Sequence, residues 1–126
     1  MSTFSEKWGQ CMRGKGLPVP DIDGVNEAVE LLDHIHQAIE NTGDAEVTIG
    51  VLLAAGAIVG VDEAALTVLG EVAQVAAALY LLECTSCLGS VAIGELRGLF
   101  ASNDVPDFMV EQLKSQGVEL SNEAVA

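Results

Sequence analysis

The sequence predicts an all-α protein, a compact bundle of about five helices around a central hydrophobic helical hairpin. Half of its 126 residues are hydrophobic and only 4% are aromatic, so the core must be built from small aliphatic side chains on closely packed backbones. Apolar residues recur at helical spacing, whereas the alternation typical of strands is weak. We expect a single domain over residues 1–126, with a partly ordered lead at 1–22, the helical bundle at 23–117 and a tail at 118–126.

The lead combines helix-breaking glycines and prolines with one short apolar repeat. Phe4, Trp8 and Met12 recur at intervals of four and could dock as one amphipathic turn. After the lead, Asp23 is a suitable N-cap for the first helix. The apolar residues of that helix keep helical spacing until an Asn-Thr-Gly sequence stops it at Gly43.

Two further helices are predicted in the apolar centre of the chain. Asp44 can cap a second helix over residues 47–59, and Gly60 is suited to end it. Asp62 can then cap a third helix over residues 63–82. Because this third helix is apolar on nearly all sides, we expect it to be the least exposed element.

The last two helices are predicted from their end signals. Residues 91–101 have helical patterning that stops at Ser102. Pro106 is well placed at the first position of a fifth helix, and Gly117 is suited to end it.

Charge is distributed unevenly along the chain. No Lys or Arg lies between Lys15 and Arg97, and the net charge of −14 repels phosphate backbones, which argues against nucleic acid as a partner. Four acids are the only charged residues within residues 47–94. They are Asp62, Glu63, Glu71 and Glu83. Since protonation neutralises a carboxylate, these acids are candidates for a switch that lets apolar helices exchange burial in protein for insertion into a membrane.

The apolar centre has two interpretations. Its stretches 47–70 and 72–94 are each long enough to cross a bilayer, for which roughly 20 residues suffice. Small residues that would let such helices pack closely, including a GxxxG match, are Gly56, Gly60, Gly70, Ala73 and Ala77. Alternatively, the same helices form the buried centre of a soluble bundle, and the capping signals around residue 62 favour this as the resting state.

With its apolar helix pair and acidic tips, the region 47–94 resembles the pore-forming domains of colicin-like bacterial toxins and the small membrane-targeting effectors of contact-dependent secretion systems. The resemblance implies a toxin that depolarises a target membrane, with an immunity protein or a chaperone in the producing cell. The first residues contain no apolar stretch typical of a signal peptide. We therefore expect synthesis in the cytoplasm without a cleavable signal, and a toxin of this kind would be exported to act at a target-cell membrane.

A binding module is the alternative function. Such a protein would remain in the cytosol and bind another protein, either as a homodimer through the small-residue face or by presenting its acidic first helix to a basic partner. The sequence contains no catalytic triad order, nucleotide-binding loop or metalloprotease motif, so we expect no enzymatic activity and no cofactor.

The cysteines and histidines are the candidates for a metal site. Cys84 and Cys87 form a CxxC motif, a spacing that suits a redox pair or, together with His34 and His36, a Cys₂His₂ metal set. Residues two apart on a helix point to nearly opposite sides, however, so the two histidines are not expected to share one ion. Three cysteines are too few, and odd in number, for a disulfide framework. We therefore expect small buried thiols in a reducing compartment.

Overall fold

The computed structural model describes residues 3–118, and within that range it contains seven α-helices and no strand. The helices are α1 (Phe4–Arg13), α2 (Val25–Thr42), α3 (Ile49–Ala54), α4 (Glu63–Gly70), α5 (Ala77–Val91), α6 (Ile93–Ala101) and α7 (Asp107–Ser115). The all-α prediction is confirmed, but the helices are more numerous than the five that were predicted. The central hairpin of two long helices is not confirmed.

Much of the lead is folded into α1. Thr3 caps this helix, and its Oγ1 accepts a hydrogen bond from the Glu6 N–H at 3.2 Å. Trp8 and Met12 are fully buried, and the Trp8 indole N–H donates to the carbonyl oxygen of Cys84 at 3.2 Å. The four-residue spacing therefore does mark a docking face, but on a helix of 10 residues rather than on one turn.

A disulfide joins α1 to α5. Cys11 and Cys87 are bonded, with their Cα atoms 5.9 Å apart and a sequence separation of 76 residues. The prediction that all the cysteines are free thiols is therefore wrong for these two. Only Cys84 is a free thiol, and it is buried as predicted. Three cysteines are too few for a framework of several bridges but allow one, which composition alone cannot place.

The first predicted helix is confirmed as α2. It begins after Gly24, which makes no side-chain cap, rather than at Asp23. It ends at Gly43, whose φ of 72° is left-handed and whose N–H bonds to the carbonyl oxygens of Ile39 and Glu40. Glycine is favoured there because it has no Cβ to clash in this conformation.

The apolar centre differs most from its prediction. The second helix covers only Ile49–Ala54, because Gly56 and Gly60 adopt left-handed φ values of 66° and 80°. The helix predicted over residues 63–82 is broken at residues 71–76, and α5 begins after the break.

Hydrogen bonds between distant backbone segments explain this break. The N–H groups of Ile49 and Gly50 donate to the carbonyl oxygens of Val75 and Ala73 at 3.0 and 2.8 Å. In the opposite direction, the Ala77 N–H donates to the Val47 carbonyl oxygen at 2.8 Å. Residues 73–77 satisfy their backbone groups by pairing with residues 47–50, so they do not continue α4. We call this pairing the backbone crossing.

The core is centred on α5, which packs against α1, α2, α6 and α7. Eight of its residues are buried: Ala77, Tyr80, Leu81, Cys84, Thr85, Cys87, Leu88 and Gly89. No single helix among residues 3–118 has the length and apolarity that a membrane span requires. The pair α5 and α6 meets the requirement only as a broken span, bent by 100°.

The C-terminal helices follow the sequence signals closely. Helix α6 ends at residue 101 as predicted, but it begins at Ile93 and not at residue 91, because α5 continues to Val91. Helix α7 begins directly after Pro106. Gly117 has a φ of 85°, and the Val118 N–H donates to the Leu113 carbonyl oxygen at 2.8 Å, which closes the end of α7. The remainder of the predicted tail, residues 119–126, lies outside the described residues.

Candidate functional site, a cleft with an acidic rim

A cleft of about 340 Å³ lies where α2 meets the start of α4. Residues 20–22, from the segment between α1 and α2, and residues 60–62, from the loop before α4, also line it. The volume is at the lower end of the roughly 300–1,000 Å³ typical of ligand pockets. The cleft is therefore large enough for a few side chains of a bound segment.

One part of the lining is apolar. Leu31 from α2 and Ala65 from α4 are buried, and Ile22, Val61 and Val68 beside them are half-buried. The half-buried side chains keep part of their apolar surface in contact with water. Covering that surface with an apolar group of a ligand would be favourable, at about 25 cal/mol per Å².

The other part of the lining is acidic. Asp21, Glu27, Glu30 and Asp62 all line the cleft, and all four residues are exposed. No Lys or Arg belongs to the lining, and His34 is its only other titratable residue. Several carboxylates around one apolar cleft raise the local concentration of cations and repel anions. We call these four carboxylates the acidic rim.

Local helix chemistry positions this rim. Glu27 and Glu30 are three residues apart on α2, so they lie on one face of that helix, with His34 one turn further on. Asp62 is the N-cap of α4, and its Oδ1 accepts a hydrogen bond from the Ala65 N–H at 2.8 Å. The cap fixes the side chain of Asp62, so this carboxylate is held at the cleft by the same bond that starts the helix.

Glycine lets the loop before α4 approach α2 closely. A Cβ at Gly60 would lie 2.9 Å from Cε1 of His34, and the φ of 80° also favours glycine. Gly60 was predicted to pack two helices together, but its role is different. It packs a loop, not a helix, against α2.

The predicted switch acids are dispersed. Asp62 and Glu63 stand at the start of α4 and Glu71 follows its end, and all three are exposed. Glu83, on α5, is half-buried, and its Oε2 lies 3.5 Å from Nζ of Lys15. Of the four, only Asp62 lines the cleft.

The five small residues that were predicted to pack helices together do not share one helix face. Gly56 and Gly60 lie in the loop after α3, so the GxxxG match is not helical. Gly70 is exposed at the end of α4, and an added Cβ there would have nothing within 4 Å. Ala77 is buried at the start of α5, and Ala73 contacts a glycine of α3 in the backbone crossing.

The metal candidates are separated as well. Cys87 is bonded to Cys11, and burial raises the pKa of the free Cys84 thiol well above its ordinary value, which disfavours the thiolate that a metal requires. His34 lines the cleft, whereas His36 stacks on the Phe108 ring at a centroid distance of 4.1 Å. No group of three His, Cys, Asp or Glu residues that could hold a metal ion is found among residues 3–118.

Sequence reasoning missed most of the cleft. The spacing of Glu27, Glu30 and His34 along one face of α2 is visible in the sequence, and it agrees with the prediction that the acidic first helix is a binding surface. The approach of residues 60–68 to that helix could not be read from local patterns, and neither could the position of Asp21.

Comparison with known proteins returned no match. No protein family, no curated protein and no solved structure is significantly similar to this chain.

Proposed function

We propose that this protein is a binding module and that its cleft holds a basic, partly apolar segment of another protein. The observation that supports the proposal most directly is the acidic rim of Asp21, Glu27, Glu30 and Asp62 beside an apolar lining. A Lys or Arg side chain has a charged head and an apolar stem, so it complements both parts of such a cleft.

A helical segment is the form of ligand that this geometry suits. An amphipathic helix places anchors three and four residues apart, which matches the spacing of Glu27 and Glu30 on α2. Opposite charges would also steer the approach of the ligand, so association should slow as salt is added. A second copy of this chain is a poor ligand here, because its net charge of −14 is repelled by the rim.

A binding measurement tests this function. The probe is a short labelled peptide with leucine and arginine at helical spacing, followed by fluorescence anisotropy, and its control peptide carries glutamate in place of every arginine. We expect the arginine peptide alone to bind, with an affinity that falls as ionic strength rises.

A matched pair of variants locates the site. Glu27→Lys combined with Glu30→Lys should weaken peptide binding by about tenfold or more, as expected for loss of charge pairs at a binding site. Glu95→Lys combined with Glu111→Lys changes the net charge equally at two exposed positions outside the cleft and should have a much smaller effect. Equal effects of the two pairs, or no binding of the arginine peptide, would refute the proposed function.

Membrane activity is the second candidate function, supported by apolar surface on α5. Leu79 is 50% exposed and Leu82 is 36% exposed, on the most central helix of the fold. As a pore-forming, depolarising toxin or effector, the protein would insert residues 47–94 into a target-cell membrane as a hydrophobic hairpin, which requires α3, α4 and α5 to rearrange. An immunity protein or a chaperone would then protect the producing cell.

Dye release from lipid vesicles over a pH series tests this candidate. The wild-type protein should release more dye as the pH falls, because protonation removes the charge of the switch acids. Glu83→Lys should impair release, and Glu111→Lys, on α7, is the matched control. No release at any pH, with or without a membrane potential, would exclude membrane activity.

A further inference from the structure

The N-terminal helix is attached to the rest of the fold mainly through one neighbour. Helix α1 packs chiefly against α5, whereas α5 also packs against α2, α6 and α7. An irregular segment, residues 14–24, connects α1 to α2 and includes Gly14, Gly16 and Pro18. Removing α1 would therefore leave the contacts among the other helices in place.

Several contacts hold α1 and the segment after it on α5. The Cys11–Cys87 disulfide is the covalent one. Trp8 is fully buried and donates its indole N–H to the Cys84 carbonyl oxygen. The Tyr80 hydroxyl donates to the Pro18 carbonyl oxygen at 2.7 Å. Lys15 forms an ion pair with the half-buried carboxylate of Glu83.

The N-terminal residues differ in charge from the rest of the chain. Residues 1–20 contain three basic side chains (Lys7, Arg13 and Lys15) and one acidic side chain, Glu6, a formal charge of +2. The other 106 residues contain two basic and eighteen acidic side chains, a formal charge of −16. All four of these charged side chains lie within residues 4–17, which are thus a small cationic, amphipathic unit lying on an acidic protein.

We propose that residues 4–17 form an arm that the Cys11–Cys87 disulfide locks onto α5, and that reduction of this bond releases the arm while helices α2 to α7 remain folded. A dithiol supplies two electrons and two protons. The bond between the two Sγ atoms breaks, Cys11 and Cys87 become thiols, and the dithiol becomes a disulfide.

Helix energetics favour release of the arm once the disulfide is reduced. A helix of 10 residues is below the length of about 12–15 residues at which isolated helices become even marginally stable in water. Once the covalent bond is broken, packing on α5 alone must order the arm against its conformational entropy. Release exposes the part of α5 around Cys84, an apolar surface that is buried while the arm is docked.

Trp8 provides a direct measurement, because it is the only tryptophan of the chain. Its emission and its quenching by acrylamide are compared in the oxidised protein, in the protein treated with a dithiol, and in Cys11→Ala without reductant. We expect red-shifted emission and stronger quenching in the last two. Cys84→Ala, which keeps the disulfide, should behave like the oxidised protein. Titration under denaturing conditions should give one thiol before reduction and three after.

Hydrogen exchange of backbone amides separates local release from unfolding of the whole protein. After reduction, exchange in α1 should accelerate by about tenfold or more, while exchange in α2 stays unchanged. A Trp8 that remains shielded after the thiol titration confirms reduction would overturn the proposal. Loss of protection in α1 and α2 together would also overturn it, because the disulfide would then hold the entire fold and not an arm.

Discussion

Replacing Gly50 by alanine should destabilise the protein, because this glycine lies at the backbone crossing. Its N–H donates to the Ala73 carbonyl oxygen at 2.8 Å. A Cβ built on Gly50 would lie 2.9 Å from that oxygen and 3.0 Å from Cβ of Ala73. Contacts this short do not persist, and the nearest atom belongs to the backbone, so one of the two chain segments must move.

The magnitude follows from two opposing effects. Inserting a methyl group into a packed site typically destabilises by about 1–3 kcal/mol, and weakening the backbone hydrogen bonds of the crossing adds about 1 kcal/mol for each bond lost. Alanine is favoured over glycine in a helix by up to about 1 kcal/mol, which offsets part of this. We expect a net loss of about 1–3 kcal/mol in the free energy of unfolding.

Urea unfolding followed by circular dichroism measures this change, with Gly98→Ala as the matched control. Gly98 lies inside α6, and an added Cβ there would have nothing within 4 Å. The control should therefore gain about 0.5–1 kcal/mol from helix propensity alone. If Gly50→Ala is as stable as the wild type, or if both variants are stabilised, the close approach at the crossing is not a constraint on the fold.

Three further predictions follow from individual side chains. Asp62→Ala should lower the free energy of unfolding by about 1 kcal/mol through loss of the bond to the Ala65 N–H, whereas Asp62→Asn should retain most of the cap but weaken peptide binding, as thermal melts and anisotropy will show. Thr85 is fully buried and its hydroxyl has no hydrogen-bond partner, so Thr85→Val should stabilise by about 1 kcal/mol in urea unfolding, and a destabilised variant would contradict this. Burial raises the pKa of both the Cys84 thiol and the Tyr80 hydroxyl, so the unfolded state loses these protons first, and the free energy of unfolding should fall as the pH rises above about 8.5. Cys84→Ala should flatten that fall in urea titrations between neutral and alkaline pH, and an unchanged slope would count against the thiol as its source.

The features that were predictable from the sequence are local ones. Helix ends at Gly43 and Gly117 and the start of a helix at Asp62 depend on residues within a turn of one another, and all three are found where the sequence placed them. The apolar face of α1 was visible for the same reason, since Trp8 and Met12 lie one turn apart.

The features that were missed are all contacts between distant segments. The break before α5 depends on hydrogen bonds from residues 47–50, and a helical pattern that continues through residues 71–76 gives no sign of it. The Cys11–Cys87 bridge spans 76 residues, and the nearby CxxC spacing suggested a metal site or a redox pair and gave no sign of a bond to Cys11. The acidic cleft likewise requires three parts of the chain to meet: residues 20–22, α2 and residues 60–68. Only the acidic face of α2 was visible in the sequence.

The Cys11–Cys87 bond also gives the chain a closed covalent circuit. Helices α2, α3 and α4 lie entirely inside this circuit, and α6 and α7 lie outside it. A protease that cuts once in the exposed stretch at residues 54–56 would open the circuit without detaching any fragment, so the nicked chain would migrate as one species until it is reduced.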